Sequence, residues 1–226
     1  MFEPLSRNAL DFLRLPPGGG AAFAAGPGPA RLAAPAAAGF WELCQTHSAL
    51  LHEVVTGGGP AAGTAGDGFF TREPAAILAV KSADCLPLLF HAPDIRAIAA
   101  VHAGWRGLVQ DFPALAGKIL LDRGAVPSTL RVILDPAICQ ACYEVGPEVA
   151  QQFQQSFGAG DEFIPGRDDR LQFSQTRFAR RRLESLGIPP ENIFDSAVCT
   201  RETAALPSFR RDGDGCGRLY SMIWLG

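Results

Sequence analysis

Between residues 77 and 101 the chain alternates short apolar runs with brief polar breaks, and no other feature limits its fold as much. Ile77-Leu78-Ala79-Val80 is one run, Leu86 to Phe90 a second after a turn at Ser82-Ala83-Asp84, and Ile95 to Val101 a third. Runs of this length, bounded by turn signals, predict buried strands. Residues 107–123 then carry Leu108, Phe112, Leu115, Ile119 and Leu120 at helical spacing, ending near Gly124. Pro113 places the start of the helix proper near its own position. Leu130 to Leu134 predicts another strand. Pro147 and Glu148 open a helix through Phe157, Ser174 caps one that runs to Leu186 and stops at Gly187, and Ile193–Val198 and Leu219–Leu225 read as closing strands. Strands and helices alternate over connections of uneven length, which predicts an α+β (mixed α/β) fold with mixed β-sheets rather than a barrel or a doubly wound sheet. No glycine fingerprint follows the first strand, which argues against a dinucleotide.

Residues 16–39 give little periodicity. They are dominated by Ala, Gly and Pro and read as loop, with a short strand near Ala21–Ala25. Hydrophobic residues make up 47% of the chain and charged residues 19%, the balance of a protein with a real core. A net charge of -3 offers no concentrated basic face, so a nucleic-acid partner is not expected. No apolar stretch is long enough for a membrane span. Met1 to Leu15 carries charges and lacks the apolar core of a secretory signal, so the expected location is cytoplasmic. There the six cysteines are expected as free thiols or metal ligands rather than disulfides.

The segment from Ser82 to Gly107 carries the chemistry. Cys85 stands at a strand boundary, and His102 directly follows the strand Ile95–Val101. A thiolate and a neutral imidazole at the ends of neighbouring strands suit zinc or copper. They could equally make a nucleophile and its base. By residue type alone a lone Cys is a small core residue and a lone His a structural one. The flanks tip the balance: Asp84 and Arg106 are charged groups beside buried strands, and Gly104 and Gly107 permit close backbone approach. His47, in Cys44-Gln45-Thr46-His47, is the third candidate ligand, and three protein ligands with one open position is the pattern of a catalytic zinc. His52 has the wrong spacing for a helical pair, and His91, at a strand end, is expected at the surface. Cys139-Gln140-Ala141-Cys142 lacks the second CxxC of a zinc ribbon and reads as local thiols lining a pocket or the core, with Cys199 and Cys216 structural. Arg210-Arg211-Asp212-Gly213 is either a solvated loop or an anion clamp, since paired guanidiniums suit phosphate or carboxylate. Arg180-Arg181-Arg182 is expected on a solvated helix face.

Ala83-Asp84-Cys85-Leu86-Pro87-Leu88-Leu89-Phe90, Ala100-Val101-His102-Ala103-Gly104-Trp105-Arg106-Gly107 and Tyr143-Glu144-Val145-Gly146-Pro147-Glu148-Val149 resemble the signature blocks of the laccase-domain family. That family was first called multicopper polyphenol oxidase and later described as purine nucleoside phosphorylase. Gln45-Thr46-His47, Cys199-Thr200 and Ser208-Phe209-Arg210-Arg211-Asp212-Gly213 resemble its flanking blocks, so the likeness runs from about residue 40 to the end. The resemblance implies one catalytic domain over residues 1–226, with 1–39 an atypical segment, in a four-layer αββα sandwich. It implies zinc, with copper as the alternative, held by His47, Cys85 and His102. It implies phosphorolysis of adenosine, inosine and methylthioadenosine and deamination of adenosine, with a purine nucleoside and phosphate as partners. Arg106 or Arg210 would hold the phosphate. Copper-dependent phenol oxidation and a cysteine hydrolase linked to peptidoglycan maturation are the alternatives it carries. Asp135-Pro136-Ala137-Ile138-Cys139 stands where the family usually has Gly-Pro-Ala-Ile-Gly.

Overall fold

The computed structural model describes residues 10–15, 19–25, 39–55, 57–74, 76–158 and 160–225. In chain order the elements are β1 (Leu10–Leu15), β2 (Gly19–Ala25), β3 (Gly39–Trp41), β4 (Leu51–Val54), β5 (Gly68–Thr71), β6 (Ala76–Ser82), β7 (Leu86–Ala92) and β8 (Ala97–Ala103). There follow α1 (Trp105–Val109), α2 (Phe112–Asp122), β9 (Arg131–Leu134), β10 (Glu144–Val145), α3 (Pro147–Phe157), β11 (Phe163–Pro165) and β12 (Leu171–Phe173). The chain closes with α4 (Gln175–Glu184), β13 (Ile193–Asp195), α5 (Phe209–Asp212) and β14 (Leu219–Trp224).

Two mixed sheets stack face to face. One runs β1-β2-β14-β6-β3 and the other β13-β9-β7-β8-β5-β4; a small antiparallel sheet, β10-β12-β11, stands apart. The first sheet is antiparallel except for its edge pair β3 with β6, and the second has an antiparallel centre flanked by the parallel pairs β4 with β5 and β13 with β9. The alternation of side chains along a strand explains the double burial. In β7 and β8, Leu86, Leu88, Phe90, Ala97, Ala99 and Val101 face α2 and α4. Leu89, Ile98 and Ala100 face the other sheet and meet Leu78, Val80 and Ile223 there. A strand apolar on both faces is what the continuous runs predicted. The mixed α/β class is as expected, and the described residues form three of the expected layers, α, β and β.

Most boundaries agree with the sequence reading, and the differences have local causes. The helix predicted over 107–123 is two helices, because Asp111 adopts a left-handed backbone (φ 59°) and Pro113 sits in the first turn of α2. Ser174 caps α4 as predicted, its hydroxyl accepting the Arg177 N–H at 3.2 Å. The strand predicted to Val198 ends at Asp195, since the positive φ of Ala197 (54°) breaks the extended run. The strand expected near Ala21–Ala25 begins at Gly19, and Leu10–Leu15 pairs with it. Glycines and alanines carry no alternation to read, and the pairing with β14 supplies what local sequence does not. The rest of the Ala/Gly/Pro segment, 16–18 and 26–38, lies outside the described residues.

His91 is not at the surface. Strand β7 continues to Ala92 between β8 and β9, leaving the imidazole 4% exposed. Burial and the neighbouring Arg131 push it down to about 4, so it is neutral.

Asp135, just past β9, is also buried, and its Oδ2 has no hydrogen-bond partner among the described residues. Burial pushes its carboxyl up to about 7, with the Ser221 hydroxyl opposing. The unfolded chain loses this proton near the ordinary value of 3.8, the folded chain only near 7. Between those values the folded state binds more protons, so the stability of the neutral form is fully present below about pH 4 and lost as pH rises toward 7. Asp135→Asn, neutral throughout, should therefore gain stability over the native chain by up to roughly 1.4 kcal/mol per pH unit in that window. Urea titrations at pH 5 and pH 8 read the difference; an equal pH response in both proteins contradicts it.

Candidate metal centre

Strands β7 and β8 form a hairpin whose open end carries the site. Pro87 lies opposite His102 and Leu86 opposite Ala103, so Cys85 and Gly104 are the next pair out. His102 shares the face of Ile98 and Ala100, the one turned to the second sheet. Gly104 is required there: a Cβ would lie 2.9 Å from Cys85 Sγ and 3.0 Å from His47 Cδ2.

His47 arrives from the loop between β3 and β4. Gln45 joins that loop to the first sheet, its amide nitrogen donating to the Lys81 carbonyl and its amide oxygen accepting the Lys81 N–H, both at 2.7 Å. Asp67 joins it to the second. Its carboxylate accepts the N–H groups of Thr46, His47 and Ser48 and the hydroxyl of Ser48, at 2.7–3.1 Å. Its Oδ1 also meets His102 Nδ1 at 2.9 Å, and its backbone oxygen accepts the His102 N–H at 2.7 Å. Burial works to raise the Asp67 pKa, but the bonds from His102 and Ser48 hold it well below the carboxylate range.

The ligand atoms of His47, Cys85 and His102 lie within 4.8 Å of one another. The two rings meet edge to face at 5.1 Å. Burial acts to raise the Cys85 thiol, yet His102 and then His47 bring it down to about 6. Burial acts to lower His102, yet the Cys85 sulfur and Asp67 lift it to about 9. Each group favours the charged form of the other, with Asp67 on the far side of the ring. With Nδ1 engaged by Asp67, Nε2 is the nitrogen left for a ligand, the carboxylate–histidine arrangement that orients imidazoles at metal sites. One sulfur and two nitrogens fit zinc, and the set leaves a fourth position open.

The three residues line a cleft of about 560 Å³, with Lys81, Phe209 and Arg218 among its walls. Phe209 is 52% exposed and offers an aromatic face. Among the described residues the Arg218 guanidinium bonds only to Cys216 and Gly217. Neither Arg106 nor Arg210 lines this cleft. Both lie near Tyr143, which also feels Cys85. Arg210 stacks at 5.2 Å from the Tyr143 ring centre and donates to the Glu144 carbonyl, and Arg106 stacks on Trp105 at 4.5 Å. Arg211 is tied to Asp212 and to the carbonyls of Thr200 and Leu206. His52 is bonded to the Ala65 carbonyl at 2.9 Å.

Sequence reasoning passed over Asp67, the group that joins His47 to His102. Its signal was an acidic residue between two glycines at the head of the apolar pair Phe69-Phe70. Asp84 was noticed only as a charge beside a strand. Its carboxylate accepts the Thr200 hydroxyl and the Arg210 N–H, both at 2.6 Å, and its carbonyl accepts the Ile138 N–H at 3.0 Å and the Gln175 amide at 2.9 Å. It thereby draws four residues from distant parts of the chain onto the residue before Cys85. The sequence reading also kept the CxxC apart from Cys199, whereas the fold brings Cys139, Cys142 and Cys199 together.

Asp67→Ala leaves His102 without its partner and frees the His47 loop. The expected loss is on the order of 3–5 kcal/mol in urea unfolding, with Asp67→Asn, which keeps one acceptor oxygen, between the two. A loss below 1 kcal/mol contradicts the clamp.

The chain matches the family described as multi-copper polyphenol oxidoreductase laccase over residues 30–226. It is similar to a purine nucleoside phosphorylase of Deinococcus radiodurans, 35% identical over 71% of this chain and 61% of that one. It is also similar to adenosine deaminase RL5 of an unknown prokaryotic organism, 31% identical over 70% of this chain and 62% of that one. The matched part of the chain thus spans about six tenths of the length of these curated relatives. Among solved structures, YlmD from Geobacillus stearothermophilus superposes with a TM-score of 0.84 over 99% of this chain and 98% of that one, at 22% identity. A Bacillus licheniformis hypothetical protein YfiH gives 0.78 over 83% and 74%, at 28% identity. The chain therefore belongs to the multi-copper polyphenol oxidoreductase laccase family.

Proposed function

We propose that this protein is a zinc-dependent purine nucleoside phosphorylase acting on adenosine, inosine and methylthioadenosine, with adenosine deaminase activity, in the cytoplasm. The observation that carries the reading is the convergence of His47, Cys85 and His102 at one wall of a cleft, in a chain whose relatives bear the names phosphorylase and deaminase. No helix of the described residues is long and apolar enough to cross a membrane.

Phosphorolysis breaks the C1′–N9 bond, sends its electron pair to the purine, which takes up a proton, and joins a phosphate oxygen to C1′. A divalent cation held by His47, Cys85 and His102 would supply Lewis acidity toward the substrate. The chain supplies the rest. Phe209 offers a face on which a purine can stack. Phosphate calls for guanidinium groups: Arg218 stands in the cleft wall, and Arg106 and Arg210 lie on the Tyr143 side. Asp67 holds the His102 ring so that Nε2 stays on the cleft side. Deamination replaces the purine amino group with the oxygen of water and releases ammonia, so it needs no phosphate.

A multicopper cluster is not favoured. The chain has four histidines, of which His52 is held by a carbonyl and His91 is buried in β7 at the opposite end of the hairpin from His102. One observation does favour a second reading: Asp67, His102 and Cys85 stand in the order of an acid–base–nucleophile relay, with the sulfur as nucleophile.

Metal-replete protein given adenosine should release adenine only when phosphate is present. Cys85→Ala should lower kcat/KM by about a thousandfold or more, as expected when a core catalytic group is lost. Arg218→Ala should raise KM for phosphate roughly tenfold, the loss of one charge-assisted bond. Adenine release that is indifferent to phosphate, or unchanged in Cys85→Ala, contradicts the proposal. A substrate adduct on Cys85, seen by mass spectrometry after rapid quenching, would favour the relay.

A further inference from the structure

Away from the cleft, a second set of soft ligands converges. Cys139 and Cys142 bracket a single turn, closed by the Cys142 N–H donating to the Cys139 carbonyl at 3.0 Å. Cys199 comes from a segment 60 residues downstream of Cys139, aligned by a parallel bridge between Ala137 and Cys199. The ligand atoms of Cys139, Cys142, Cys199 and Glu202 all lie within 4.8 Å of one another. The Cys139 N–H donates to Cys199 Sγ at 3.3 Å. Glu202 Oε1 lies 3.5 Å from Cys142 Sγ, and the Arg201 guanidinium lies 3.5 Å from the same sulfur.

We propose that Cys139, Cys142 and Cys199, with the Glu202 carboxylate as fourth ligand, form a second, closed zinc site with a structural role. A CxxC turn contributing two thiolates, joined by a distant third, is ordinary zinc-site construction, and four protein ligands leave no position for substrate. Tetrahedral zinc at about 2.3 Å from each sulfur sets the sulfurs roughly 3.8 Å apart, so closure needs only small side-chain movement. The Cys139 N–H stands where a metal-bound Cys199 sulfur would accept it, and the Arg201 guanidinium would offset the excess negative charge of the filled site. A disulfide would account for two of the sulfurs and leave the third, and the carboxylate, without a purpose.

The ion would act on the first site through Asp84. Ile138, next to Cys139, donates to the Asp84 carbonyl, and Thr200, next to Cys199, donates to its carboxylate. Tying Cys139 to Cys199 fixes both partners of the residue that precedes Cys85.

The test needs only the intact chain loaded with zinc, dialysed and analysed for metal. Native protein should hold two zinc per chain. Cys142→Ser and His47→Ala should each hold one, and the double variant none, so that loss of this site and loss of the cleft site are read separately. Because a serine at buried Cys199 can unfold the chain, native protein is also alkylated with iodoacetamide. The peptides carrying Cys139, Cys142 and Cys199 should label at least tenfold faster after a chelator is added. The proposal is overturned if Cys142→Ser retains the native zinc content, if labelling of the three cysteines ignores the chelator, or if a two-dalton loss reveals a disulfide among them.

Discussion

A single buried carboxylate, Asp67, holds the candidate centre together. It accepts hydrogen bonds from three consecutive backbone N–H groups of the His47 loop and from the His102 ring, while its own carbonyl takes the His102 N–H. An ionised carboxylate removed from water is costly unless its lone pairs are filled, and here donors converge on both oxygens. The arrangement is mutual. Asp67 stays charged because His102 and the loop donate to it, and the loop keeps its shape, including the left-handed backbone of His47 (φ 59°), because Asp67 accepts. Remove the acid, and His47 and His102, two of the three candidate ligands, lose their support together.

Asp84 does for Cys85 what Asp67 does for the histidines. It too has a positive φ, 86°, which turns the chain out of β6 so that Cys85 stands directly before β7 at the open end of the hairpin. Its oxygens gather the Thr200 hydroxyl and the backbone of Arg210, residues over a hundred positions away. The C-terminal charged block therefore has more than one duty. Arg211 is a brace, holding Asp212 and several carbonyls, and Arg210 contributes a backbone N–H to Asp84 while its guanidinium rests on Tyr143. Sequence alone treats the two arginines as one block, a solvated loop or a clamp; geometry gives them different partners.

The central sheets were legible in the sequence because burial on both faces writes itself as continuous apolar runs. Ile77 to Val80, Leu86 to Phe90 and the run to Val101 all became strands, and Cys85 and His102 fell at one end of a pair, as their places in those runs implied. The edges were not legible. Strands β4 and β5 contain His52, Glu53 and Gly68, and the Ala/Gly stretch of β2 has no alternation to detect. His91 was misjudged because a polar residue near a strand end usually marks an exit to solvent, whereas here the sheet continues on both sides. Asp67 escaped notice for a different reason: half of its bonds come from backbone N–H groups, and a bond to backbone leaves no pattern in residue types. Convergence of Cys199 on the CxxC is a property of the pairing between two chain segments, which local spacing does not encode.

The three candidate ligands are not held alike, and that difference bears on how such a site can work. Cys85 and His102 sit on the central hairpin, whose neighbours are buried on both faces. A rigid sheet fixes two ligands at a set separation, the condition under which a geometry can select its ion. His47 is exposed and rests on a loop joined to the two sheets through Gln45 and Asp67. Moving its side chain breaks none of the hydrogen bonds that Gln45 and Asp67 make to the loop. Two candidate ligands held by the sheet and one held by a loop would let a bound ion change its coordination on the cleft side without straining the fold. The clamp on Asp67 limits that movement, so the same carboxylate that assembles the site also decides how far it can open.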